Sequence, residues 1–275
     1  MASQSPPGAF FVLGAADPEM RAIERLLADG SHAFTHARVD GKRVHPANAY
    51  RAPLPVAAGE ALAAGATVYL VECVGDAVPG TRRIDHHHPG DPGYGRPPDE
   101  YWPASSLGQT IAVIARLQPG GMTVTPQLRM IAAADHCLGA AYRGLCPGVD
   151  PAALLDWHIA ARAAFEKRPP AALRRDIETG FAAIHRAPRL ALGNGMEAVD
   201  LRGRHIAELP IVAAHEDCCC ISAVKARDGR VKIGCLVGSP AQVEAFMQLW
   251  APAHQLVDIY GDPMRGFAGA YVPRT

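Results

Sequence analysis

Residues 9–30 read AFFVLGAADPEMRAIERLLADG, and this stretch decides the fold class. Ala9–Leu13 is a short apolar run of β-forming side chains, followed by Gly14. Asp17-Pro18 then supplies a helix N-cap and a proline at the first helical position, where a missing N–H costs nothing. Met20, Ile23, Leu26 and Leu27 recur at helical spacing, and Gly30 closes the run. A buried strand leading into an amphipathic helix is the opening of a β-α-β unit, the element from which parallel sheets are built.

The pattern recurs downstream. Thr67–Val71 (TVYLV) reads as a second buried strand and Arg82–Ile84 as a third. Ser105-Ser106 can cap a helix through LGQTIAVIARL, stopped by Pro119-Gly120-Gly121, and Gln127–Ala134 reads as a further helix with Asp135 near its end. Residues 1–150 are therefore expected to form an α/β domain with a doubly wound parallel sheet. Asp150-Pro151 starts the helix ALLDWHIAARAAFEK, and AALRRDIETGFAAIHR follows Pro169-Pro170. This pair carries no evident chemistry and reads as a helical connector over 151–188. Residues 189–275 read as a smaller α+β C-terminal domain, with strands over Arg189–Leu192, Ala198–Leu201, Pro210–Ala214 and Cys219–Lys225. The turn Arg227-Asp228-Gly229-Arg230 should join the last of these to VKIGCLVG, and Ser239-Pro240 should start a helix over AQVEAFMQLWA.

Bulk properties narrow the function. Lys+Arg and Asp+Glu balance at 27 each over 275 residues, so no global basic field argues for long nucleic acid. No apolar run reaches the roughly 18 residues that span a bilayer. The start, MASQSPPGAFFVLG, lacks the basic region and long apolar core of a signal peptide. Seven cysteines, three of them adjacent, do not resemble a secreted disulfide framework, and a cytoplasmic protein is expected. The oligomeric state is open, with a homodimer among the options.

Chemistry concentrates at strand ends. Residues 84–98 read IDHHHPGDPGYGRPP, an acid and three histidines between an apolar strand and a Pro/Gly loop. In open α/β sheets ligands bind beyond the carboxyl ends of the strands. Asp17 follows the first strand, Glu72 the second and Asp85-His86-His87 the third, while Asp135 can approach the same face. Carboxylates and imidazoles converging there suit a hard or borderline divalent cation such as Mn²⁺. Two such ions about 3.5–4 Å apart would clamp a phosphoryl group and activate water.

This order of motifs resembles the DHH phosphoesterase superfamily. The resemblance implies an N-terminal doubly wound domain, a helical linker and a smaller C-terminal domain, with a metal-dependent hydrolytic site. The family's first motif is a His followed by two Asp, at the spacings that Leu13, Asp17 and Glu19 have here. Leu13 thus stands where the family has His, and Glu19 where it has its second Asp. Glu72 matches the second motif, with Asp76 as a substitute, and Asp135 matches the fourth. The third motif is intact: the resemblance implies that Asp85 supports the site, His86 binds metal and His87 faces the phosphate. It further implies metal ligation by Asp17, Glu19, Glu72, His86 and Asp135, and a helix start near the site at Ser105–Gln109.

The expected cofactor is Mn²⁺, one or two ions, with Mg²⁺ or another divalent metal as substitutes. The expected partner is a small phosphorylated substrate or short oligonucleotide, contacted by His88, Ser105, Ser106, Arg265 and Gly266. The last two lie in a glycine-bearing segment, residues 261–270, that can cradle an anion through backbone N–H groups and one Arg. A degenerate relative that binds a phosphorylated metabolite without hydrolysing it is the alternative, favoured by the absent first-motif His. A one-metal enzyme of different chemistry near the Cys218–Cys220 strand is another.

Each residue also has a plainer role. Asp17 is a good N-cap, and Glu19 an ordinary first-turn acid. Glu72 can be a charge at a strand terminus, and Asp135 a helix-end acid or a partner of His136. Adjacent residues of a strand point to opposite faces, so at most two of Cys218, Cys219 and Cys220 could share a metal, and buried reduced thiols are expected there. His158 and His185 read as surface or packing residues, and Trp157 and Trp250 as core.

Overall fold

Along the first strand, Phe10 and Val12 point to one side and Phe11 and Leu13 to the other, and Phe11, Val12 and Leu13 are fully buried. A strand covered on both faces belongs inside a parallel sheet. The computed structural model describes residues 8–76, 78–118, 123–226 and 229–274, without the side chain of Phe165. The chain divides into two compact units, Met1–His136 with Cys146–Val149, and Cys137–Leu145 with Asp150–Thr275.

The first unit runs β1 (Ala9–Leu13), α1 (Pro18–Asp29), β2 (Ala33–His36), a short hairpin of β3 (Arg38–Val39) and β4 (Lys42–Arg43), α2 (Val56–Ala63), β5 (Thr67–Val71), β6 (Thr81–Ile84), α3 (Tyr101–Ala104), α4 (Ser106–Leu117) and α5 (Pro126–Tyr142). Its sheet has the order β2-β1-β5-β6, with every neighbour parallel. Asp17 caps α1, its Oδ1 accepting from the Met20 N–H at 2.6 Å. Helix α2 covers Val12, Val68 and Leu70 on one face, and on the other Phe11 stacks on Tyr69 with ring centroids 5.2 Å apart. Helix α4 packs on α1 and β6. The sheet is thus flanked by helices. Strand β2 was not expected from the sequence: AFTH is short, at the sheet edge and only partly buried, so it carries little apolar pattern. The described residues between Glu72 and Thr81 form a loop, as the short interval implies. Helix α5 leaves helical geometry at Cys137, where the boundary between the units falls.

The second unit contains α6 (Pro151–Glu166), α7 (Pro170–Arg186), β7 (Arg189–Gly193), β8 (Met196–Asp200), α8 (Leu209–His215), β9 (Cys220–Lys225), β10 (Val231–Leu236), α9 (Pro240–Ala245), β11 (Val257–Asp262) and β12 (Phe267–Tyr271). A mixed sheet in the order β11-β12-β10-β9-β8-β7 is parallel only between β8 and β9. Strand alternation separates two cores: Ala198, Ile221 and Ile233 pack with Val243, Phe246 and Trp250, while Val199 and Cys220 pack with Leu173, Ile177 and Ile184. Residues 151–188, read as a connector, therefore contribute side chains to the core of this unit.

Pro210–Ala214 is a correction. The segment is helical in α8, with Pro210 near the helix start and Ile211, Val212, Ala213 and Ala214 all buried. A short run buried on every side has no period to separate strand from helix. The stop at Pro119-Gly120-Gly121, and Arg227 and Asp228 of the expected turn, lie outside the described residues. Strands β9 and β10 around that turn do pair antiparallel. Among the described residues no helix is long and apolar enough to cross a membrane.

Candidate metal centre

The carboxyl ends of β1, β5 and β6 meet tightly. The Gly14 N–H donates to the Val71 carbonyl at 3.0 Å and the Glu72 N–H to the Ile84 carbonyl at 3.1 Å. A side chain at Gly14 would come within 2.4 Å of the Glu72 carbonyl oxygen, so glycine lets the two strand ends close. Glu72 itself has φ +50, a left-handed backbone that a non-glycine residue adopts only when its surroundings impose it. Its side chain is buried, and Oε1 has no hydrogen-bond partner among the described residues.

Asp85 is the hub of the turn after β6. Its fully buried carboxylate accepts the backbone N–H groups of His86 (2.8 Å) and His87 (3.0 Å), His87 Nδ1 (2.9 Å) and the Tyr50 hydroxyl (3.0 Å). Burial alone would raise its pKa, but the His87 hydrogen bond and charge, with the two backbone N–H groups, hold it down to about 2. The Gln109 side chain brackets the main chain of the same residue, accepting the Asp85 N–H at 3.3 Å and donating to the Asp85 carbonyl at 3.0 Å. Asp85 therefore stays ionised and orients His87, whose Nε2 is the ring nitrogen that Asp85 does not engage.

His86 is the centre of the acidic face. Its Nε2 lies 2.9 Å from Asp135 Oδ2 and 3.5 Å from Glu72 Oε1, and its Nδ1 is 2.8 Å from His136 Nδ1. Burial would lower its pKa, but the Asp135 and Glu72 carboxylates facing it push it up to about 10. Asp17 is raised to about 7 by burial and by the charges of Asp135 and Glu72. Glu19, 1% exposed, is raised well above its usual range by burial and by the same two carboxylates. Its Oε1 accepts the Leu107 N–H at the start of α4 (3.0 Å), while Oε2 has no hydrogen-bond partner among the described residues.

Four carboxylates thus crowd two imidazoles, with the buried Glu19 Oε2 and Glu72 Oε1 among the oxygens left over. One ligand atom from each of Glu72, His86, His87 and Asp135 falls within 4.8 Å of the others. This donor set fits a hard or borderline divalent cation, which would neutralise the mutual repulsion that raises the Asp17 and Glu19 pKa values. Asp85, His88 and Asp91 make a second compact group, but Arg83 lies 3.5 Å from both its carboxylates and already supplies a positive charge.

The structure brings Glu72, His86, His87 and Asp135 into one cluster, with Asp17 and Glu19 close enough to be raised by the Glu72 and Asp135 charges, and Asp85 beneath His87. Asp76 is exposed in the following loop, so Glu72 is the acid that faces the histidines. His88 is exposed, its ring edge against Tyr50 at 4.4 Å. Ser105 is the buried cap of α4, its Oγ accepting the Gly108 N–H at 3.0 Å and donating to the Trp102 carbonyl at 3.2 Å. Its hydroxyl thus serves the helix cap in both hydrogen-bonding directions. Ser106, also fully buried, has no hydrogen-bond partner for Oγ among the described residues. Arg265 and Gly266 belong to the second unit, in the turn between β11 and β12, where the Arg265 guanidinium lies 5.7 Å from the Phe267 ring centre.

Cys219 and Cys220 are buried and point into the two different cores of the second unit, and Cys219 Sγ lies 3.6 Å from Cys235 Sγ. Among the described residues no group of three metal-ligating side chains includes them. Sequence reading missed Tyr50, the contact of His136 with His86 and the specific role of Gln109. Gln109 and His136 sit inside or beside stretches already singled out, while Tyr50 lies 35 positions from Asp85 with no local pattern around it. A scan against protein-family models and a search of curated proteins found no match for this chain.

Proposed function

We propose that this chain is a metal-dependent phosphohydrolase of DHH type, built on a doubly wound N-terminal domain and acting on a small phosphorylated molecule or short oligonucleotide in the cytoplasm. The observation that carries this reading is the convergence of the buried Glu72 and His86 with the half-buried His87 and Asp135 within 4.8 Å, in surroundings with more acids than bases. Those four residues would hold the ion, with Asp17 and Glu19 completing the rim, and Mn²⁺ suits the mixed N/O donors. A bound divalent cation supplies Lewis-acid polarisation of a phosphoryl oxygen and a nucleophile from water at neutral pH.

The chain's own residues do the rest. Asp85 Oδ1 lies 2.9 Å from His87 Nδ1 and orients the ring, leaving Nε2 as the nitrogen that would address a phosphoryl oxygen as negative charge builds on it. Gln109 keeps the Asp85 backbone in register, and Tyr50 fixes its carboxylate. Asp17, raised to about 7, can exchange a proton near neutral pH at the edge of the cluster. A second reading, binding without hydrolysis, draws on Leu13, which is fully buried in β1 and offers no ligand where the family pattern has His.

The test is elemental analysis after Mn²⁺ reconstitution and desalting, followed by assays on a model phosphodiester, a phosphomonoester, pyrophosphate and a short oligonucleotide. Retained metal, with turnover of one substrate class lost in His87→Ala, is the expected result. Retained metal with saturable binding and no turnover selects the second reading. Wild-type protein that retains no metal and turns over none of them under any divalent ion overturns the proposal.

A further inference from the structure

Resting on the metal-centre reading, we propose that His136 is a positioning residue: donating from Nε2, it accepts the Nδ1 proton of His86 and leaves His86 Nε2 as the metal-binding nitrogen. Three contacts in series carry the argument. The Arg96 backbone carbonyl can only accept, and His136 Nε2 lies 3.2 Å from it, so the proton of that contact sits on His136 Nε2. With a metal ion on His86 Nε2, the ring proton left to His86 is on Nδ1, which faces His136 Nδ1. That nitrogen lies 2.8 Å from His86 Nδ1, a distance that needs one proton between the two, and it comes from His86. Nε2 is thereby left as the nitrogen whose proton a metal ion would displace, and it faces Asp135 Oδ2 at 2.9 Å and Glu72 Oε1 at 3.5 Å.

Helix α5 explains how two adjacent residues reach opposite nitrogens of one imidazole. Asp135 addresses Nε2 and His136 addresses Nδ1, and the next residue, Cys137, leaves helical geometry at φ −154, ψ 58. The His136 ring stacks on His86 with centroids 5.1 Å apart and planes at 30°. Metal-bound histidines usually give their second N–H to a carboxylate or a carbonyl. A carboxylate here would add a further negative charge beside Asp135 and Glu72, whose charges already raise the Asp17 and Glu19 pKa values. A neutral imidazole supplies the acceptor without the charge, and the Arg96 carbonyl keeps it in the accepting tautomer.

The experiment compares the full-length protein with His136→Phe, which keeps a stacking ring but has no acceptor, and His136→Gln, whose amide oxygen can accept. Mn²⁺ affinity is read by titration calorimetry. Loss of this kind of partner weakens metal binding ~10–100-fold, so His136→Phe should fall in that range, with His136→Gln recovering most of the loss. Ring ¹⁵N spectra, recorded metal-free and with Mg²⁺, should show His136 protonated at Nε2 and bare at Nδ1. His136→Phe binding Mn²⁺ as tightly as wild type, or a His136 proton found at Nδ1, overturns the proposal. Wild-type protein that binds no Mn²⁺ overturns the metal-centre reading instead, and the nitrogen spectrum of the wild type then decides the His136–His86 contact alone. Should His136→Phe fail to fold, His136→Gln and that spectrum still decide it.

Discussion

The two units treat their charges in opposite ways. In the second, acids meet guanidinium groups: Arg162 bridges Glu166 and Glu208, Arg202 holds Asp200, Arg168 reaches Asp176, and Arg174 reaches Asp156. The hydrogen bonds from Arg202 pull the Asp200 pKa below its usual value. At the rim of the first unit, Asp17 and Glu19 are raised by burial and by other carboxylates, and the buried Glu19 Oε2 and Glu72 Oε1 have no hydrogen-bond partner among the described residues. Pairing acids in one place and crowding them in another is what the proposed cation site calls for, since a bound cation would supply the missing positive charge. Asp85 marks the limit of that rule, since hydrogen bonds from its own turn keep it ionised at full burial.

The contrast can be broken most forcefully at Asp85. Asp85→Ala leaves the Tyr50 hydroxyl, two backbone N–H groups and the His87 ring without their buried acceptor. Breaking such a pair costs about 3–5 kcal/mol, and chemical denaturation should show a loss of that order. A loss within the error of the wild-type value would remove Asp85 as the hub. His86→Ala should weaken Mn²⁺ binding at least ~100-fold, about 2.7 kcal/mol, while circular dichroism stays that of a folded chain. Undiminished affinity would take His86 out of the ligand set.

A pH series sharpens the same comparison in the metal-free protein. Asp17 and His86 have raised folded-state pKa values, so their stabilisation is complete below the ordinary values of 3.8 and 6.5 and is lost as pH rises through about 7 and about 10. Glu19 acts in the same direction as Asp17. Asp85 acts oppositely, its contribution present above 3.8 and lost as pH falls towards about 2. Thermal unfolding should therefore show metal-free stability falling between about pH 5 and pH 8. Mn²⁺ at a hundredfold excess over its Kd should restore ~2.7 kcal/mol at the upper end. A stability that rises across that window, or ignores Mn²⁺, contradicts the acid-crowding argument.

The smallest effects belong to the second unit. The side chains of Arg174 and Asp156 are about half and two-thirds exposed, so Arg174→Ala should cost no more than ~0.5 kcal/mol in thermal unfolding and leave Mn²⁺ affinity untouched. Cys218→Ser should likewise leave metal binding unchanged, because Cys218 lies in the second unit and outside the Glu72–His86–His87–Asp135 group. A drop in affinity on Cys218→Ser would revive the thiol-centred alternative.

Local pattern carried much of this molecule. Strands β1 and β5, the Asp17 cap, the Ser105 cap and the Asp85-His86-His87 turn all announce themselves within a few residues, because strand alternation, helical spacing and capping act over that range. Pro210–Ala214 and Ala33–His36 did not, the first because an apolar run buried all round has no period, the second because a partly exposed edge strand shows little apolar pattern. Glu72 could be named from the sequence as a strand-end acid, but its left-handed backbone and its approach to His86 depend on Gly14 letting β1 close against it.

Residue types and their order were enough to place acids and imidazoles at the ends of parallel strands, since chain direction alone puts those ends on one rim. Only the tertiary structure decided which acids crowd together, which nitrogen of His86 faces them, and that Tyr50, Gln109 and His136 hold the cluster in place. Those contacts join residues distant in the chain, and their energies depend on burial and on angstrom-scale distances that no sequence interval encodes.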